Sequence, residues 1–233
     1  MYLTYKDLLC TYPQANLEAI DESKLNDFED DCIGDPKIRI TASGVYNLLT
    51  PKFKIADNDI SRGYIIERAL KAQGVKIPQA SSAATRWGND NEVIAIDSYN
   101  LLKNSMFIHN KVVYTGSKES EYGKNIACVP DAICPKDLII AQIKCPFNPV
   151  KYHEYRKIKS QLELKILVPQ YYCQVQFEMF VMGNNESVLV FFDPRFPKEK
   201  QIHEVVVFID NELQQLFDEL VPRTIDLIKK EME

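Results

Sequence analysis

The order of apolar and polar positions along the chain predicts helices in the first half and strands after them. Residues 58–73 carry apolar side chains at helical spacing, and a further helix is expected from Trp87 to about Leu102. In ITASGVYNLL, Thr41 or Ser43 is expected to cap a short helix. The first half is therefore predicted to be mainly helical.

Strand patterns begin near residue 106 and alternate with helical ones to the end of the chain. MFIHNKVVYTG, NIACVPDAI and DLIIAQIKC are β-branched or alternating runs separated by residues that break strands. A basic helix is expected over 150–165 and another from Pro169 to Gly183. SVLVFFD and IHEVVVFI follow as strands, and an amphipathic helix closes the chain at 210–233. This order predicts an α/β fold, a central mixed β-sheet flanked by helices.

Length and composition favour one ordinary globular domain. The chain has 233 residues, of which 45% are hydrophobic and 26% charged, without repeats or a Pro/Gly-rich linker. We expect residues 1–233 to form a single domain in which residues 1–35 are an acidic, helical N-terminal extension. No run is long and apolar enough for a membrane span, and the opening residues lack a signal-peptide pattern. A cytoplasmic protein without a membrane partner is therefore expected.

The charge of the chain is unevenly distributed. The formal net charge is −5, yet residues 151–165 are strongly basic while residues 18–35 are strongly acidic. An acidic protein can still bind DNA through a local basic groove. The basic stretch is therefore either a nucleic-acid contact or a solvated helix face.

Cysteine usage offers no sign of a metal site or of a disulfide framework. The six cysteines contain no C-x-x-C pair, and the three histidines are not spaced from them as zinc ligands would be. Reduced and mostly buried thiols are expected.

The segment VPDAICPKDLIIAQIKCPF carries the most distinctive chemistry. Asp131 ends one apolar run, and Gln142 and Lys144 lie in the next. Because side chains alternate along a strand, Gln142 and Lys144 share one face while the Ile143 carbonyl remains available as a ligand. An acid, a hairpin and then (Asp/Glu)-x-Lys can hold a magnesium ion beside a phosphodiester. A structural Lys–Asp pair in a sheet is the alternative.

Two more segments could contribute to the same site. RWGNDNE places Trp87 and Glu92 at the start of a helix, where Glu92 either approaches the cation or is an acid favoured by the helix dipole. Tyr171 and Gln174 lie on one face of the helix after Pro169. A polar side chain there either serves the site or is a satisfied core amide.

The order of these motifs resembles the lambda-exonuclease family, including YqaJ-type viral recombinases, of the PD-(D/E)xK nuclease superfamily. The matching stretches, from about residue 38 to the C-terminus, are ITAS, WGNDNE, VPDAI, IKCPF, QYYCQVQF, FFDPRF and FDELVP. The resemblance implies a restriction-endonuclease-like fold and a magnesium-dependent 5′-to-3′ exonuclease on double-stranded DNA that leaves 3′ overhangs. It also implies a ring-shaped homotrimer and a single-strand annealing recombinase as partner. Manganese is an alternative cation.

The same resemblance assigns roles to individual residues. Lys144 would be catalytic together with Glu92, Asp131 and Gln142, and the metal would be bound by Asp131, Gln142, the Ile143 carbonyl and Glu92. Ser43 would bind the terminal 5′-phosphate, while Tyr171 and Gln174 would lie at the site and contact DNA. Pro36 stands where the family has an arginine for that phosphate, so Lys37 or Arg39 is expected to take its place.

Gln142 is the main departure from the family pattern, which has a carboxylate there. A glutamine offers an oxygen to magnesium but no charge. Three explanations remain open: an engineered Glu→Gln substitution, a natural variant that still cuts, and a natural loss of activity. The alternative functions are a non-catalytic ring that binds DNA ends and an endonuclease or junction resolvase with only the superfamily core.

Overall fold

The computed structural model describes residue 35 and residues 37–78, 82–117, 120–136 and 139–233. In these ranges the helices are α1 Asp59–Ala72, α2 Ala83–Lys103, α3 Pro149–Tyr155, α4 Gln161–Leu167, α5 Pro169–Met182 and α6 Asn211–Lys230. The strands are β1 Ile40–Thr41, β2 Ile108–His109, β3 Tyr114–Thr115, β4 Ile126–Cys128, β5 Ala132–Cys134, β6 Ile139–Lys144, β7 Glu186–Phe192 and β8 Ile202–Phe208. Short 3-10 helices cover Val45–Leu48, Gly123–Asn125 and Lys198–Lys200. The acidic extension predicted for residues 1–35 lies, apart from Asp35, outside the described residues.

The strands form two mixed sheets. The larger has the order β2-β5-β6-β7-β8, with β6 and β7 parallel and the other neighbours antiparallel. The smaller has the order β1-β4-β3, with β1 and β4 parallel. The predicted α/β class is confirmed, with the strands divided between two sheets.

Strand β6 lies in the middle of the larger sheet, and helices cover both of its faces. Ala141 and Ile143 belong to an apolar cluster that includes Ala95 and Ile96 of α2. On the other face Ile140 packs in the main core with residues of α5, such as Phe177. Since side chains alternate along a strand, Gln142 and Lys144 face the α5 side. The sheet thus places α2 and α5 on opposite sides of β6.

The helix predicted from Pro169 to Gly183 and the strands predicted after it are confirmed. Pro169 occupies the first turn of α5, where its missing N–H costs no hydrogen bond. Gly183 ends the helix with a left-handed φ of 71°, and its N–H donates to the Met179 carbonyl. The closing helix predicted over 210–233 is α6, capped by the Asp210 side chain.

The helix predicted over 150–165 is wrong as one element, because the structure has α3 and α4 there. Between them Ile158 turns inward, where it is 1% exposed and its carbonyl bonds the His203 ring at 2.6 Å. Ser160 then starts α4, since its hydroxyl accepts from the Glu163 N–H. The burial of Ile158 and the N-cap at Ser160 therefore divide a segment whose sequence has the spacing of one continuous helix.

Three further boundaries differ from prediction. Helix α2 begins at Ala83 because Ser82 caps it, so Trp87 lies within the helix rather than at its start. The segment 126–134 is two strands in different sheets, separated near Pro130. Neither Thr41 nor Ser43 caps the 3-10 helix, whose N-cap position is Gly44 without a side-chain hydrogen bond.

Within the described residues Cys128, Cys134, Cys145 and Cys173 are free thiols, and only Cys145 of these is not buried. No helix of the described ranges could cross a membrane.

Candidate functional site

The Asp131 carboxylate is held against strand β6. Its Oδ2 atom accepts the Ile143 backbone N–H at 2.7 Å and the Gln142 amide Nε2 at 2.5 Å. The β5–β6 hairpin makes these contacts local, because Ala132 is paired with Ala141 and Asp131 precedes that pair. The hairpin therefore brings Asp131 and Gln142 together and leaves Lys144 two residues further along the same face.

The Lys144 ammonium is oriented by helix α5. It donates to Gln174 Oε1 at 3.1 Å and lies 5.1 Å from the centroid of the Tyr171 ring. Gln174 in turn donates to Glu178 Oε1 at 2.9 Å, one helical turn further on. A continuous chain of polar contacts thus runs from Lys144 through Gln174 to Glu178, a residue with no exposed surface.

Burial controls the electrostatics of both carboxylates. It raises the pKa of Asp131 to about 6; the charge of Glu92 adds to this, while Lys144 opposes it. It also raises the pKa of Glu178 to about 8, again with a contribution from a neighbouring carboxylate, that of Asp131. The hydrogen bond from Gln174 and the charge of Lys144 act in the opposite direction on Glu178. The buried site therefore disfavours the ionised form of both carboxyl groups, and of Glu178 more than of Asp131.

Glu92 approaches from helix α2 on the other side of β6. Its Oε1 atom lies 2.9 Å from His109 Nε2, and both side chains are 27% exposed. Glu92 lines a cavity of about 230 Å³ together with Ile143, Lys144 and Tyr171. We name this the catalytic cavity, after the catalytic role expected of Lys144 from the sequence. His109 orients Glu92 toward it.

A second cavity lies on the opposite side of the Lys144–Gln174–Glu178 chain. It has a volume of about 290 Å³, and its lining includes Arg39, Ser43, Gln174 and Glu178 but not the exposed Lys37. We name it the Ser43 cavity. The two cavities share α5 as a common wall, with Tyr171 and Gln174 on its surface.

The turn that carries Ser43 packs closely on helix α1. A Cβ atom on Gly44 would come within 2.5 Å of the Tyr64 ring, so only glycine fits without displacing that ring. The Tyr64 hydroxyl also accepts the Thr41 N–H at 3.3 Å. These contacts hold Ser43, which is itself exposed, at the mouth of its cavity.

The loop after Lys144 is attached to both α2 and the end of β7. Arg195 forms a two-point ion pair with Asp193, which has no exposed surface, at 2.8 and 2.7 Å. The same guanidinium donates to the carbonyls of Pro146 and Phe147 and lies 4.4 Å from the centroid of the Trp87 ring. Arg195 therefore joins the two walls of the catalytic cavity.

The oxygen donors at this place fit a hard divalent cation. Gln142 Oε1 and Glu178 Oε2 are buried and have no hydrogen-bond partner. Carboxylate and amide oxygens are the ligands that magnesium prefers. No three His, Cys, Asp or Glu side chains of the described residues converge as a metal cluster, so an amide or a carbonyl would have to complete the set.

Sequence reasoning did not identify Glu178 and His109 as parts of this site, and it assigned no role to Arg195. A signal for Glu178 was present: it is an acid in the apolar run of α5, four residues after Gln174. A buried acid at that spacing requires a partner on the same face. His109 had no comparable signal, because it lies in a two-residue strand and meets Glu92 only in the tertiary structure.

Comparison with known proteins gives both a family match and structural neighbours. A family model described as a YqaJ-like viral recombinase domain matches residues 37–185. An alkaline exonuclease from Laribacter hongkongensis is 20% identical and covers 83% of this chain and 89% of its own, with a TM-score of 0.67. The same exonuclease in complex with dAMP gives a TM-score of 0.68, with 20% identity and coverage of 84% and 91%.

A phage-related exonuclease from Haemophilus somnus 129PT is 15% identical, covers 82% of this chain and 94% of its own, and has a TM-score of 0.66. A search of curated protein sequences found no match. At these identities the neighbours bear on the fold alone, and they agree with the restriction-endonuclease-like architecture expected from the motifs.

Proposed function

Because the chain belongs to the YqaJ-like viral recombinase family, we propose that it is a magnesium-dependent deoxyribonuclease that degrades double-stranded DNA from its 5′ ends. The family predicted from the sequence motifs is confirmed by the match over residues 37–185. Digestion of one strand in the 5′-to-3′ direction would leave 3′ single-stranded overhangs for recombination. The dAMP bound to one structural neighbour is a deoxynucleoside monophosphate, the size of product that such digestion releases.

The observation that carries this proposal is the contact between Lys144 and Gln174, which line the two cavities, close to Asp131 on the β5–β6 hairpin. The Lys144 ammonium is oriented by the Gln174 oxygen toward the catalytic cavity. A fixed cation there can stabilise negative charge that develops on a phosphate without having to reorganise during the reaction. Asp131 is fixed to β6 at two points, so its second oxygen remains available to a ligand or to water.

The expected cation would be held by Asp131, Gln142, the Ile143 carbonyl and Glu92. When bound, magnesium would offset phosphate charge and favour deprotonation of a bound water. In the structure the Gln142 amide nitrogen points at Asp131, so its oxygen reaches a cation only after the amide turns over. Amide orientation is set by the surrounding charges, and a cation would favour the oxygen.

The Ser43 cavity supports recognition of a DNA end. Arg39 contributes a guanidinium and Ser43 a hydroxyl, the groups that proteins use to bind phosphate oxygens. Such contacts carry no base information, as digestion of any sequence requires. We therefore propose that the terminal 5′-phosphate occupies this cavity while the adjacent phosphodiester lies in the catalytic cavity.

We further propose a homotrimeric ring that encircles DNA in the host cytoplasm and transfers its overhang to a single-strand annealing recombinase. Exposed apolar side chains cluster at the end of α2 and on α4, namely Leu101, Leu102, Met106, Leu162, Ile166 and Leu167. Exposed apolar groups at two such places are candidate surfaces for contacts between protomers. Light scattering at micromolar concentration should give the mass of a trimer; a clean monomer would contradict the ring.

The decisive assay compares the chain as given with Gln142→Glu on 5′-phosphorylated linear duplex in magnesium. Both are expected to release mononucleotides, and covalently closed circular duplex is expected to remain intact. If neither folded protein digests linear duplex, the exonuclease proposal is wrong. Cleavage of the closed circle would instead indicate the endonuclease or junction-resolvase alternative.

The non-catalytic DNA-end ring is the second candidate, and one observation favours it. Gln142 lacks a negative charge and satisfies Asp131 through its amide N–H, which is how an inactivated site would look. On this alternative the chain as given binds linear duplex ends but digests none, while Gln142→Glu restores digestion.

A further inference from the structure

Two buried side chains close to the Lys144–Gln174 contact each carry an oxygen atom without a hydrogen-bond partner. Glu178 has no exposed surface, yet its Oε2 atom has no partner. Gln142 is 4% exposed, and its Oε1 atom has none either. Burying such groups is unfavourable unless something else satisfies them. Both atoms are oxygens, so either a hydrogen-bond donor or a cation would satisfy them.

The direction of α5 carries Glu178 toward the part of β6 that holds Gln142. Helix α5 leads directly into β7, which is parallel to β6, so α5 runs antiparallel to β6. Four residues forward along α5 cover about 6 Å. Two residues back along β6 cover a similar distance, about 6.6 Å. Because Gln174 contacts Lys144 and the two elements run in opposite directions, Glu178 is expected at the level of Gln142, on the face of β6 that Gln142 shares with Lys144.

The sequence has an acid, Glu178, on the helix and an amide, Gln142, on the strand, where the family pattern has a carboxylate on the strand. We propose that Glu178 supplies from α5 the carboxylate that β6 lacks at Gln142, so that Asp131 and Glu178 bind the divalent cation together with the Gln142 amide oxygen. This inference rests on the proposed nuclease function, since it names a ligand of that same site.

The neighbouring charges favour a cation over a purely structural acid. Asp131 and Glu178 are close enough for the charge of one to act on the other, and burial strengthens that repulsion. Glu178 also lines the cavity assigned above to the terminal phosphate, where a bare carboxylate would repel the ligand. A divalent cation between Asp131 and Glu178 removes both conflicts.

The proposal changes the meaning of Gln142. A glutamate at that position would place a third carboxylate beside Asp131 and Glu178, which like-charge repulsion disfavours. The neutral amide keeps an oxygen ligand without adding that charge. Gln142 is then part of a complete site in which the acid comes from α5.

The test measures binding of MnCl2 to the full-length protein by titration calorimetry without DNA. Glu178→Gln should weaken Mn²⁺ binding at least about tenfold, the scale typical of a lost carboxylate at a metal site. The double variant Glu178→Gln with Gln142→Glu should restore affinity, because it returns the carboxylate to the strand. Glu219→Gln, the same change on the exposed surface of α6, is the matched control and should bind as the unaltered chain does.

Unaltered Mn²⁺ affinity in folded Glu178→Gln would overturn the proposal, and so would failure of the double variant to recover affinity. Thermal unfolding in EDTA checks that each variant is folded. If Glu178→Gln does not fold, Glu178→Asp is measured instead. Its side chain keeps the negative charge but is one methylene shorter, so its oxygens lie further from the cation and Mn²⁺ should bind more weakly. An unchanged Mn²⁺ affinity in folded Glu178→Asp would also overturn the proposal that Glu178 is a metal ligand.

A parallel digestion of linear duplex separates this inference from the proposed function. Digestion by the unaltered chain together with unchanged Mn²⁺ affinity in Glu178→Gln would reject the inference and leave the function standing. Loss of Mn²⁺ affinity in Glu178→Gln, with recovery in the double variant but no digestion by any variant, would reject the function and support the metal ligand.

Discussion

Two groups of polar side chains near the ends of β6 and β7 differ in how completely their buried atoms are bonded. In the first, both Asp193 oxygens accept from Arg195, whose remaining donors reach the carbonyls of the loop after Lys144. In the second, Gln142 and Glu178 each bury an oxygen without a partner. The oxygens of the first group are fully bonded, whereas each residue of the second keeps a buried oxygen that can accept a further bond.

The difference indicates which group stabilises the fold and which serves chemistry. A buried carboxylate whose oxygens are fully bonded by one arginine can hold two elements together, here the Pro146–Phe147 loop and Trp87 of α2. Unsatisfied buried oxygens are retained where a function requires them. Changes to each group should therefore affect different measurements.

The largest effect should be the pH dependence of stability in EDTA, which tests the incomplete group. The pKa of Glu178 in the folded protein, about 8, lies above its ordinary value of 4.5, so the folded state holds a proton that the unfolded state releases. The stabilisation is complete below about pH 4.5 and is lost as the pH rises through about 8, on the order of several kcal/mol. The raised pKa of Asp131, about 6, also makes the folded protein less stable as the pH rises through that value.

Urea unfolding at pH 5, 7 and 9 measures this dependence. Glu178→Gln should flatten the loss of stability over this range, most of all between pH 5 and 7, because the amide has no proton to release. A slope identical to that of the unaltered chain would show that Glu178 is not the titrating group.

Lys144→Ala should reduce the rate of digestion of linear duplex about 10²- to 10³-fold, the cost of removing one fixed group that stabilises developing charge. The fold should be nearly unaffected, because Lys144 is partly exposed and lies at the end of its strand. Steady-state release of mononucleotides and thermal unfolding measure the two effects. Lys229→Ala, on the exposed side of α6, should change neither.

Arg195→Ala breaks the complete group and should lower the free energy of unfolding by about 3 kcal/mol, because it leaves Asp193 buried and unpaired. This expected loss of stability is at the lower end of the range for buried ion pairs, because the Arg195 side chain is 37% exposed. Arg195→Lys should recover only part of it, because lysine cannot form the two-point contact. Urea unfolding measures both, with Arg223→Ala as the exposed control.

His109→Ala should have the smallest effect, a loss of about 3- to 10-fold in digestion rate, the equivalent of one neutral hydrogen bond. The imidazole orients Glu92 but does not line the catalytic cavity. His109→Gln keeps a donor and should retain more activity than the alanine variant. Equal losses in the two variants would show that the hydrogen bond to Glu92 is not what His109 contributes.

Elements with strong local signals were predicted correctly, and those decided by packing were not. Pro169 and Gly183 bound α5 as their backbone preferences require, and the two strands after it follow their apolar pattern. The interruption at Ile158 could not be predicted, because it depends on burial against β8 and on a contact with His203. Local periodicity carries no information about which apolar residue reaches the core.

The sequence by itself determined the family, the α/β class and the short-range part of the site, since Asp131, Gln142 and Lys144 are joined by one hairpin. Only the tertiary structure decided that Glu178 is linked to Lys144 through Gln174, that His109 holds Glu92, and that Arg195 joins α2 to the loop after β6. Hairpin geometry follows from local backbone preferences, whereas contacts between distant elements depend on how helices pack on the sheet. The incomplete bonding of Gln142 and Glu178 belongs to that second kind of information.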